Sequence, residues 1–199
     1  MLLALWILFI IYSVFLAPGD GFTSDTVISL IRGTFSDIEP LVVFIFNLLG
    51  IYPLLFAVIL SNRNSGGSPV WPFILLSFVL GAFALLPYFF LFSSKPKTST
   101  KNNPLLEFIC KILQSKTILF IIVIFFIANL FVLTRGFSLD GFMIAFYSSK
   151  LVNIMSVDLL LLLWLSYYSF KHLYGNKHAW LSFIPVVGPI MLLWKKKTH

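Results

Sequence analysis

Long apolar runs broken by short polar stretches fill this chain from end to end. The first covers residues 1–17, where Ser13 is the only clearly polar side chain, and Pro18-Gly19 ends it. Runs over 41–60, 71–92, 117–134 and 151–170 follow, and a shorter one over 180–194 closes the series. A membrane-crossing helix needs about 20 apolar residues. The pattern therefore predicts an all-α polytopic transmembrane bundle of about six membrane segments, with residues 1–199 as one domain. The last segment is the exception. Pro185, Gly188 and Pro189 interrupt it, and as a straight helix it covers only about 21 Å against a hydrocarbon core of roughly 30 Å. It either crosses a thinned bilayer or dips in and returns.

The polar stretches carry helical signals of their own. Within 20–40, Val27, Ile31 and Phe35 recur every four residues behind Thr23-Ser24-Asp25, the mark of a capped helix lying on the membrane surface. Glu39-Pro40 opens the second run, with proline in a first turn that needs no N–H. Within 93–116, Asn103 and Pro104 precede a stripe of Leu105, Ile109 and Ile112, with Glu107 and Lys111 as an i,i+4 pair. Residues 136–150 read either as a loop with a short helix or, from Phe142, as an extension of the next run. Ser77, Gly81 and Ala84 form a small-residue seam expected to pack 71–92 against 41–60.

Composition fits this picture. Of 199 residues, 59% are hydrophobic and 11% charged, and the mean hydropathy is +0.99. A soluble domain carries roughly 25% charged residues. The first run lacks the basic start and small-residue cleavage site of a secretory signal, so it reads as a retained helix. Cys110 is the single cysteine, which leaves no intrachain disulfide.

The net charge of +7 sits in loops and at the C-terminus. There it sets topology and draws anionic lipid headgroups. Nucleic acid is not an expected partner, since no folded basic surface holds it. With six crossings the basic residues divide almost evenly between the two sides. If the last segment returns, Lys195, Lys196 and Lys197 join the larger group. Either arrangement puts Lys95 through Lys116 in the cytoplasm, Met1 outside, and the protein in a bacterial cytoplasmic membrane.

The stretches Phe46-Asn47-Leu48-Leu49-Gly50-Ile51-Tyr52-Pro53, Pro69-Val70-Trp71-Pro72-Phe73 and Gly81-Ala82-Phe83-Ala84-Leu85-Leu86-Pro87-Tyr88 resemble a group of uncharacterised multi-pass integral membrane proteins of bacteria and plastids. The resemblance covers residues 46–88. It implies a membrane protein and carries over no catalytic residue.

Candidate chemistry is sparse. Asp158 is an acidic residue inside an apolar run, and an intramembrane carboxyl is by default a functional hypothesis. Asn47, Asn129, Tyr52 and Tyr88 are the polar side chains that could join it. His172 and His178 lack a third ligand nearby, so neither a metal nor a cofactor is expected. HExxH, P-loop and GxSxG patterns are absent from the sequence. Three readings remain. The first is a non-enzymatic component that assists, assembles or regulates a membrane partner. The second is a small carrier or channel using Asp158 for a proton or cation. The third is an intramembrane enzyme acting on an apolar, isoprenoid-like substrate.

Overall fold

The computed structural model describes residues 1–19, 25–36, 38–61, 70–92 and 104–196. Among these there are helices and turns but no β-strand. The Thr23-Ser24 cap, the polar turn over 62–69, Lys95, Lys97 and Lys101, and the Asn103 cap lie outside the described residues. Among the described residues, three helices are long and apolar enough to cross a membrane. They are α3 (Pro40–Ser61), α7 (Lys116–Leu133) and α9 (Lys150–Tyr168), the last prolonged by a π-helical turn over Ser169–Leu173.

Helix α3 is the most enclosed of the three. Buried residues make up 67% of its most apolar stretch, against 17% for α7. Pro40 takes its first position, and the helix runs on through Pro53. Helix α7 lies antiparallel to it. Asn47 bonds Asn129 near the far end of α7 at 2.9 Å, while Gln114, just before α7, donates to the Ser61 carbonyl at 3.0 Å. Helix α9 runs parallel to α3, because Tyr174, just past its end, donates to the Ile59 carbonyl. These donors meet carbonyls in the last turn of α3, which have no partner within the helix.

We call the end of the bundle at Pro40 the upper end and the end at Ser61 the lower. Helix α1 (Leu2–Ile11) continues as a π-helical turn over Tyr12–Leu16. It rises from lower to upper, since the Lys150 Nζ at the start of α9 donates to the Val14 carbonyl at 3.0 Å. Helix α2 (Asp25–Arg32) and helix α8 (Leu139–Ser148) belong to the upper end. The ambiguous stretch 136–150 thus holds a separate short helix. Ser138 caps it by accepting from the Gly141 N–H at 3.1 Å, and extended Ser149 separates it from α9.

Residues 71–92, expected as one span, depart from the sequence reading. They form α4 (Val70–Leu80) and α5 (Ala82–Phe92), folded back on one another at Gly81. The Phe73 ring lies 5.8 Å from Tyr88 and 5.9 Å from Phe92. In a straight helix Phe73 and Phe92 would stand about 28 Å apart. Both arms therefore begin and end at the lower end, and Gly81 is the tip. Helix α6 (Pro104–Leu113) lies at the lower end as well, beside the end of α3.

The C-terminal run is also interrupted. A 3-10 turn over Ala179–Phe183 leads to Val186, whose φ of 61° lies in the left-handed region, and then to α10 (Val187–Lys196). Gly188 sits so close to the Leu181 carbonyl that a Cβ there would overlap it. The chain turns back on itself between the two.

Candidate functional site

Gly81 joins the two arms of the hairpin with a left-handed φ of +53°. Its N–H closes the last turn of α4 on the Ser77 carbonyl at 2.8 Å, and its carbonyl accepts the first bond of α5 from Leu85 at 3.4 Å. Gly81 therefore stands at the N-cap of α5. A side-chain oxygen at that position ordinarily satisfies a first-turn N–H, and glycine has none. Asp158 of α9 supplies it from outside: the Ala82 N–H donates to Asp158 Oδ1 at 2.8 Å. A Cβ on Gly81 would overlap the same carboxyl. Glycine is thus required twice, for its φ and for the space.

Asp158 lies about 12 Å along α9 from Lys150 and is 6% exposed. An aspartate at the centre of a membrane helix costs roughly 2.5–3.5 kcal/mol on insertion scales. A hydrogen bond to a charged group returns about 1.5–3 kcal/mol, and the positive end of α5 adds to it. The contact offsets part of the cost of placing Asp158 in the bundle.

A second contact holds the hairpin. Pro87 has no N–H, so the Phe83 carbonyl one turn earlier loses its helical donor. The Trp6 indole of α1 replaces it, with Nε1 3.1 Å from that carbonyl. Phe9 stacks on Phe83 with ring centroids 4.0 Å apart. Between α1 and the two arms lies a cavity of about 480 Å³ lined by Trp6, Phe73, Leu76, Leu80, Phe83, Ala84 and Pro87. Its lining is apolar apart from the indole, and Asp158 is not part of it.

The other expected site residues do not converge on Asp158 in one pocket. Asn47 and Asn129 bond each other, and Asn129 Nδ2 also donates to the Phe44 carbonyl at 3.0 Å. They clamp α3 to α7. Tyr52, fully buried in α3, turns its hydroxyl toward the Val186 backbone without a bond of good geometry. Tyr88 stacks on Phe92 at 5.8 Å and meets Phe89 edge-on, inside the aromatic packing of the hairpin. Ser77 and Ala84 of the small-residue seam are buried, but Gly81 faces α9 and not α3.

Trp6, Ala82 and Asn153 are not among the candidate site residues expected from the sequence. Asn153 is fully buried and accepts from the Tyr12 hydroxyl at 2.7 Å, tying α1 to α9. Pro87 was the available signal for Trp6, because a mid-helix proline always leaves a carbonyl seeking a donor. Among the described residues no group of three or more His, Cys, Asp or Glu gathers as a metal site. Comparison with protein-family models, with curated proteins and with solved structures yields no match.

Proposed function

We propose that this chain is an integral membrane protein with a non-enzymatic role, assisting, assembling or regulating a membrane partner, in a bacterial cytoplasmic membrane. In this reading six segments lie in the bilayer: α1, α3, the α4–α5 hairpin, α7, α9 and the C-terminal fold-back. Their polar groups hold the bundle together and process no substrate. The observation that carries this is the position of Asp158. Its carboxyl is buried and engaged by the Ala82 N–H at the hairpin tip. The cavity nearby, large enough for a small apolar ligand, does not include it. An acid catalyst acting on an isoprenoid-like substrate would have to touch that substrate.

One observation favours the carrier reading as an alternative. Helices broken at mid-depth are the elements from which many transporters build ion sites, and Gly81 breaks such a hairpin beside a carboxyl. Proteoliposomes separate the two. Purified protein should pass no more protons or alkali cations than empty vesicles, and Asp158→Asn should match it. The amide keeps an oxygen for the Ala82 N–H, so this variant should also retain its thermal midpoint in detergent. A flux that Asp158→Asn abolishes would establish the carrier and end the accessory reading.

A further inference from the structure

The contacts that order the helices also divide the charges. Helices α1, α3, α7 and α9 run between the two ends, while the α4–α5 hairpin and the C-terminal fold-back enter and leave at the lower one. Following the chain through these elements leaves Arg32, Arg135 and Lys150 as the described basic residues of the upper end. Of the other described basic residues, Lys111, Lys116, Lys171, Lys177, Lys195 and Lys196 belong to the lower end. Acidic residues divide the opposite way. Among the described residues, Asp158 is inside the bundle and Glu107 lies in α6, while Asp25, Glu39 and Asp140 lie at the upper end. Helix α6 adds a surface suited to a membrane. Phe108, Ile109 and Ile112 are exposed on it, with Lys111 exposed among them and Lys116 exposed just beyond. Apolar side chains that enter the acyl boundary beside lysines that meet headgroups define an interfacial helix.

We infer that the lower end is the face that docks on an anionic cytoplasmic leaflet, with α6 as its lipid-contacting helix and with both chain termini in the cytoplasm. The inference rests on the membrane reading above and deepens it by naming the orientation and the lipid class. It reverses the placement of Met1 expected from six full crossings. The reason is the hairpin: a segment that returns changes the side of everything before it relative to everything after. Charge complementarity selects the occupant. Basic residues near a membrane surface follow the positive-inside rule and each adds attraction to acidic lipid.

Two measurements test it. Reporters fused before Met1 and after His199 should both read cytoplasmic, and Phe137→Cys, exposed at the upper end, should react with an impermeant thiol reagent in intact cells. An external reporter at either terminus, or a Phe137→Cys thiol labelled only on inverted vesicles, overturns the orientation. For the lipid, the full chain in neutral detergent is titrated with phosphatidylglycerol or phosphatidylcholine. Phosphatidylglycerol should bind more tightly, more weakly as salt rises, and about fivefold more weakly for each of Lys111→Gln and Lys116→Gln. Equal binding of the two lipids, or preferential retention of an oligonucleotide or an acidic peptide, overturns the lipid assignment. An Asp158-dependent flux would remove the accessory reading and leave these results untouched, so the two claims fail separately.

Discussion

A single glycine sets the path of the chain at the centre of the bundle. Gly81 holds φ at +53° and leaves no room for a Cβ beside the Asp158 carboxyl. Gly81→Ala therefore combines backbone strain of about 1–3 kcal/mol with displacement of the cap. We expect a thermal midpoint in detergent well below that of the parent. Gly50 is the control. It sits within α3, exposed, with open space around its Cβ position. Gly50→Ala should be neutral or stabilise by roughly 0.5–1 kcal/mol. If both variants melt alike, the tip geometry does not hold. Asp158→Leu should resemble Gly81→Ala, because it leaves the Ala82 N–H buried without an acceptor. Asp158 could be singled out from the sequence because a carboxyl among leucines is conspicuous. Its partner could not, because the partner is a backbone N–H, and every residue but proline has one.

At the scale of elements, two inter-helix contacts can be weighed by paired substitutions. Trp6→Phe leaves the Phe83 carbonyl without its donor, at a cost of about 1–3 kcal/mol. Pro87→Ala returns an N–H to α5 and should recover part of that loss. Coupling of the two changes in unfolding free energy is the expected result, and simple additivity would mean that the indole does not stand in for the missing helical bond. Asn47→Leu with Asn129→Leu should show a coupling near 0.6 kcal/mol and below about 1.7 kcal/mol, the range found for polar contacts between membrane helices. The long helices α3, α7 and α9 were legible because apolar length alone specifies them. The α4–α5 hairpin was not. Its 71–92 stretch is as apolar as a crossing helix, and no hydropathy count distinguishes a helix that crosses from two that turn back. What decides is the sign of one φ angle, fixed by a side chain on a distant helix.

On the scale of the whole molecule, charge and connectivity become one argument. Straight crossings leave the basic residues nearly balanced, whereas the observed path gathers six of the nine described ones at one end. The candidate polar residues could each be named from the sequence, but not their distribution among separate contacts, since pairing across helices is a property of packing. The reach of the Asp158 contact also bears on how the protein is made. Ala82 and Asp158 are 76 residues apart. At the usual pace of synthesis, about 5–20 residues per second, the ribosome needs roughly 4–15 s to pass from one to the other. Throughout that interval the nascent hairpin carries an uncapped helix start. On the proposed membrane reading, insertion is therefore a staged process with a vulnerable intermediate. A chain arrested after α7 should be held by the insertion machinery or degraded, while one arrested after α9 has emerged should be stable.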